Sequence, residues 1–162
     1  MNSNVRMWIV ILAASVALGV NSCRLGENEI FVVPAGFKGP VFIVFNQSSG
    51  QPPKYDNGQR VYDIPQDGIL ITQFSPNNDW HRPSKFFFRD NSKLIEIPEV
   101  EGSDLRDDRV QACCLSFGKT GRTPNDWSIE YYQVYIGTKT DISTAGKEAA
   151  KINLAAILDS RK

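Results

Sequence analysis

Eight short runs rich in Val, Ile, Phe and Tyr, set apart by Pro, Gly and Asn, confine this chain to a β-rich fold. The runs cover residues 31–33, 41–45, 60–64, 69–74, 85–89, 93–97, 110–117 and 128–136. Most have the length of ordinary strands and are too short for packed helices. The breaks carry turn chemistry: Pro34-Ala35-Gly36, Asp56-Asn57-Gly58, Pro65-Gln66-Asp67-Gly68 and Asp90-Asn91-Ser92. Asn57-Gly58 suits a type I′ turn, whose two central residues both need positive φ. Strands at this spacing predict an all-β fold, a β-sandwich of about seven to eight antiparallel strands. Runs 41–45 and 86–88 contain no charged residue, which marks them as central strands covered on both faces.

Only the tail reads as helical. Ser143 or Thr144 is placed to cap a helix running to about Ser160. Its apolar residues fall on two sides, with Ala145, Ala149, Ile152 and Ala156 on one and Leu154, Ile157 and Leu158 on the other. That is a poor stripe for a single helix on a sheet. The most loop-like stretch is 46–54, and 100–108 is an acidic second.

The start of the chain has a different character. Residues 1–6 carry one charge, Arg6, and residues 7–20 (MWIVILAASVALGV) carry none. Fourteen helical residues span roughly 21 Å, short of the roughly 30 Å of a bilayer core. A basic start, a short apolar stretch and small residues before a cut site describe a cleaved secretory signal. Val20-Asn21-Ser22-Cys23 resembles a bacterial lipobox, in which the cysteine thiol is acylated and becomes the new N-terminus; Asn21 departs from the usual small or apolar residue. On this reading 1–22 is a lipoprotein signal peptide, 23–28 a polar tether, 29–140 the sandwich and 141–162 the helix. Acyl chains on Cys23 would hold the domain on the extracytoplasmic face of a bacterial membrane, since each buried methylene contributes about 0.8 kcal/mol.

The charge balance restricts partners. Eighteen Lys+Arg face eighteen Asp+Glu, and loss of residues 1–22 removes only Arg6. A chain so nearly neutral has no electrostatic grip on nucleic acid or anionic lipid, so membrane attachment falls to the acyl chains.

Residues 33–41 (VPAGFKGPV), Asn57-Gly58, 62–70 (YDIPQDGIL) and 135–138 (YIGT) together resemble a family of uncharacterised bacterial lipoproteins. The resemblance spans most of 29–140. It implies a lipoprotein and carries no activity, cofactor or catalytic residue onto these positions.

The candidates for chemistry are few. Cys113-Cys114 lies within run 110–117, where alternation would set Cys113 with Leu115 and Phe117, and Cys114 with Ala112 and Ser116. Small buried thiols are the plain expectation. The alternatives are a vicinal disulfide acting as a redox pair or ligand contact, which would break the strand, and bridging between molecules. His81 follows Trp80 in a loop, 77–83, where the two form a candidate ligand patch. Glu99, Glu101, Asp104, Asp107 and Asp108 are interleaved with Arg106 and Arg109 and match no calcium loop, so no metal is assigned. Gly118-Lys119-Thr120 resembles the end of a phosphate loop, but the Gly required five residues earlier is Cys113, so no nucleotide and no cofactor are expected.

Two function classes follow. The first is a non-catalytic, lipid-anchored binding or structural module, with an envelope protein or glycan as its candidate partner. The alternative is a lipid-anchored envelope hydrolase using the 99–108 carboxylates, with His81.

Overall fold

The computed structural model describes residues 26–77 and 84–161; Cys23, Trp80 and His81 lie outside the described residues. Ten strands form: β1 Glu29–Pro34, β2 Gly39–Val44, β3 Tyr55–Asp56, β4 Gln59–Asp63, β5 Ile69–Ile71, β6 Ser84–Asp90, β7 Lys93–Ile97, β8 Glu99–Val100, β9 Gln111–Thr120 and β10 Ile129–Gly137. All eight predicted runs are strands. Two-residue β3 and β8 carry no periodicity and were not legible in the sequence. Asn57 and Gly58 both have positive φ, as their turn between β3 and β4 requires.

The strands make two five-stranded sheets, in the orders β3-β4-β1-β6-β7 and β5-β2-β10-β9-β8, with a core between them. The sandwich is as predicted, but its wholly antiparallel pairing is corrected. β1 is parallel to both β4 and β6, β2 to β5, and β8 to β9. The chain alternates between sheets, from β1 to β2, back to β4, across to β5 and back to β6. For β1–β4, β1–β6 and β2–β5 a strand in the opposite sheet supplies the crossover that parallel neighbours need, whereas β8 reaches β9 through the loop holding the short 3-10 turn Gly102–Asp104.

Burial follows the pleat. Val41, Ile43 and Phe45 face the core, while Phe42 and Val44 face a second apolar layer on the other side of the same sheet. Run 41–45 is therefore covered on both faces, as its composition implied. Run 86–88 is not: Phe86 is buried in the core, but Phe87 on the opposite face is only half-buried.

The second layer is helical, and there are two helices where the sequence suggested one. α1 spans Lys139–Ala149 and α2 spans Leu154–Ser160. The break explains the two-sided apolar pattern, because Ala149 of α1 and Leu154, Ala155 and Leu158 of α2 all join one cluster on the sheet. Thr138, rather than Ser143 or Thr144, caps α1 in a capping box with Asp141. The Thr138 backbone N–H donates to Asp141 Oδ2 at 2.9 Å and Lys38 pairs with the same carboxylate, which brings the Asp141 pKa down to about 2. Asn153 caps α2 by accepting from the Ala156 N–H at 3.0 Å. Among the described residues no helix is long and apolar enough to cross a membrane.

Candidate functional site

A polar cluster closes the end of the sandwich at which β1 starts. Glu29 opens β1, Arg60 and Tyr62 lie on β4, and Asn77 follows β5; all four are buried. The Tyr62 hydroxyl donates to Glu29 Oε1 at 2.7 Å, and the Tyr132 hydroxyl donates to the Asn77 carbonyl at 3.2 Å. Asn77 straps the segment leading into β1 in both directions, accepting from the Glu27 N–H at 3.0 Å and donating to the Glu27 carbonyl at 2.6 Å. Arg60 donates to the Glu27 carboxylate and to the Ser75 carbonyl at 2.6 Å, with its guanidinium 4.8 Å from the Phe74 ring centroid. Glu27 and Asn28 fall in the predicted tether, yet both are hydrogen-bonded to the sandwich. Beside the cluster lies a groove of about 530 Å³, lined by Tyr55, Arg60, Phe74 and Asn77 among others.

Burial raises the Glu29 pKa above its ordinary 4.5, against the lowering effect of hydrogen bonds from Tyr62 and Asn77 and the charge of Arg60. The folded state therefore holds this proton more tightly than the unfolded chain. Its stabilising effect is complete below about pH 4.5 and is lost as the pH rises through the folded value. Glu29→Gln keeps the shape and removes the titration. Melting temperatures measured from pH 4 to pH 8 should fall less steeply with pH in Glu29→Gln than in the wild type.

The larger groove, about 640 Å³, runs over the outer face of the second sheet between β10 and the α1–α2 turn. Its floor is Tyr131, Gln133 and Tyr135, which alternate along β10 with the core residues Tyr132, Val134 and Ile136. Gln133 Nε2 donates to the Tyr135 hydroxyl, joining two floor groups. Tyr131 lies across Gly118 of β9: a Cβ at Gly118 would stand 2.4 Å from Tyr131 Cζ. The glycine that resembled a phosphate-loop remnant thus serves to let this ring lie down on the sheet. Sequence reasoning missed the floor, although the period-two pattern Tyr131, Gln133, Tyr135 signalled a polar aromatic face opposite an apolar one.

Cys113 and Cys114 are joined in a disulfide. The plain expectation of two thiols is thereby corrected, and so is the expectation that such a bond would break the strand. β9 continues through the doublet on a β-bulge: Gln133 pairs with Ser116 and Tyr135 with Cys113, so one extra residue is accommodated in β9. Cys114 adopts φ 65° there. The extra residue shifts the alternation, so that Ala112, Leu115 and Phe117 all face the core while Cys114 is exposed. Cys113 is buried opposite Tyr135 and shares its face of the sheet.

The acidic stretch does not line either groove. Asp107 Oδ1 accepts from the Thr140 N–H at 2.8 Å at the start of α1, and Asp108 pairs with Arg106. Among the described residues no group of three or more His, Cys, Asp or Glu could hold a metal ion.

Residues 26–146 match the model of a family of unknown function (DUF6843). No curated protein matches the chain. The chain is similar to the solved structure of the "Putative Lipoprotein from Bacillus anthracis", with 13% identity over 68% of this chain and 71% of that one and a TM-score of 0.49.

Proposed function

Because the chain belongs to the DUF6843 family, for which no function is established, we propose from its own residues that it is a lipid-anchored extracytoplasmic module that binds an envelope component without catalysis. The observation that carries the binding reading is the groove over β10, a concave surface of about 640 Å³ with three same-face polar side chains on its floor. The hydrolase alternative draws less support, since Asp107 accepts from the Thr140 N–H and Asp108 pairs with Arg106.

The anchor reading rests on the apolar run 7–20 and on Cys23. Cys23 precedes Gly26 by three residues, a reach of at most about 11 Å. With Glu27 and Asn28 strapped to the sandwich, an acylated Cys23 would hold the polar-cluster end of the domain close to the bilayer. The β6–β7 hairpin, at the opposite end of β1, would point away.

Metabolic labelling with a palmitate analogue in a bacterial host tests the anchor. Wild-type protein should carry the label and sediment with membranes, whereas Cys23→Ser should lose the label and most of its membrane association. Equal label in the two proteins overturns the assignment.

A further inference from the structure

We infer that the groove over β10 is a saccharide site, taking a neutral, hydroxyl-rich glycan chain laid along the strand. This inference rests on reading the groove as the working surface of the anchored module.

The floor belongs to a strand in the middle of its sheet. β10 is laddered to β2 on one side and β9 on the other, so its backbone donors and acceptors are used and no free edge is offered. A peptide seeking to add a strand finds none there. Recognition must therefore run through side chains. The polar side chains in the lining are Thr120, Tyr131, Gln133, Tyr135, Lys151 and Asn153, which offer ring faces, hydroxyls, amides and one ammonium.

Tyr131 is held flat by the absence of a side chain at Gly118, with Phe42 packed 5.7 Å from it, centroid to centroid. A ring with one face on the sheet turns its other face to the groove. The negative π-face favours the slightly positive C–H face of a sugar ring. Tyr135 lies four residues along the strand, its Cα roughly 13 Å from that of Tyr131 at ordinary strand rise, so the floor extends along the strand rather than around a single point. Between them the Gln133 amide is oriented by its hydrogen bond to the Tyr135 hydroxyl. A hydroxyl and an amide each donate and accept, which matches the dual character of sugar hydroxyls.

Charge narrows the ligand. Lys151 is the single ionisable side chain other than tyrosine in the lining, and no carboxylate is present. Glu130 neighbours Tyr131 in sequence but points to the opposite face, where it pairs with Lys119 and accepts from Asn46. The site has no counter-charge for a cationic partner and too little positive charge to select a polyanion.

Titration calorimetry on the full acylated protein in detergent tests this. The probes are chitotetraose, cellotetraose, a polyuronate, and an envelope stem peptide. The neutral oligosaccharides should bind, and Gln133→Ala and Tyr135→Ala should each weaken them about tenfold, the scale of one lost hydrogen bond or ring contact. Gly118→Val, which displaces Tyr131, should weaken them at least as much. Far-UV circular dichroism confirms that each variant is folded, and Gln133→Ala, half-buried on the open face, serves where Tyr135→Ala fails to fold. Absence of binding by both neutral oligosaccharides at millimolar concentration, binding unaffected by the folded variants, or preference for the polyuronate or the peptide overturns the inference. A stem-peptide result would leave the anchored-module reading standing. Loss of that reading would appear separately, as label retained by Cys23→Ser.

Discussion

Replacing Tyr62 with alanine is expected to lower stability by about 4 kcal/mol or more, the largest effect of any single substitution considered for this protein. The side chain is fully buried between the sheets and sits at the junction of three other rings, with centroids 5.0 Å from Phe31, 5.5 Å from Phe74 and 6.3 Å from Phe45. Truncation leaves a cavity that the rigid faces of two sheets cannot close. It also removes the hydroxyl that donates to Glu29, leaving a buried carboxylate short of a partner. Burial already pushes the Tyr62 phenol well above its ordinary pKa, so the group stays a neutral donor at any working pH. Tyr62→Phe separates the two contributions: it keeps the ring and should cost about 1–3 kcal/mol, mostly the price of the unsatisfied carboxylate. Urea unfolding midpoints would measure both. A Tyr62→Phe loss equal to that of Tyr62→Ala would show that packing contributes nothing, against the geometry; a negligible loss would show that Glu29 does not depend on this donor.

How much of this was readable beforehand depends on the length over which a signal extends. Eight strands were legible because each runs long enough to show its apolar bias, and Asn57-Gly58 was legible because its chemistry is local. Strand direction was not. Nothing in the composition of β4 or β6 records that β1 runs parallel to both, because the crossover passes through the other sheet. The tail was half-legible. Its two-sided pattern was visible, but only Asn153, acting as a cap four residues after Ala149, resolves it into two helices facing one sheet.

The bulge in β9 shows how a single residue can defeat period-two reading. Strict alternation puts Cys113 with Leu115 and Phe117. The core instead takes Ala112, Leu115 and Phe117, a pattern with one residue too many. That irregularity was present in the sequence, and an extra residue in a ten-residue strand is the physical way to satisfy it. The candidate site was legible only in part for a similar reason. Tyr131, Gln133 and Tyr135 announce a face, but the groove above that face is made by the α1–α2 turn, which approaches from residues 146–154. The polar cluster was less legible still, since Glu29, Arg60 and Asn77 are far apart in the chain and each reads alone as a solvated residue.

Substituting methionine for Arg60 should destabilise the domain by about 2–3 kcal/mol and loosen its first residues. The Arg60 side chain is 10% exposed and Glu27 is 38% exposed, so the loss should fall below the 3–5 kcal/mol typical of a fully buried pair broken on one side. Methionine retains the apolar stem over Phe74 but gives up the bond to the Ser75 carbonyl and the pairing with Glu27. Asn77 alone then holds Glu27, so limited proteolysis should cut near residues 26–28 faster in Arg60→Met than in Glu27→Gln, which removes the carboxylate without leaving it unpaired. A second consequence distinguishes this from simple loss of packing. The Arg60 charge lowers the Glu29 pKa, so its removal should raise that value further. A higher folded pKa means more stability lost between about pH 4.5 and neutrality, so the Arg60→Met deficit should grow as the pH rises through that window. A deficit that is flat from pH 4 to pH 8, with proteolysis unchanged, would mean that Arg60 serves only as filler. A deficit that steepens with pH in Arg60→Met but not in Arg60→Met/Glu29→Gln would place Arg60 as the charge that makes a buried Glu29 tolerable, and with it the end of the domain from which Cys23 departs.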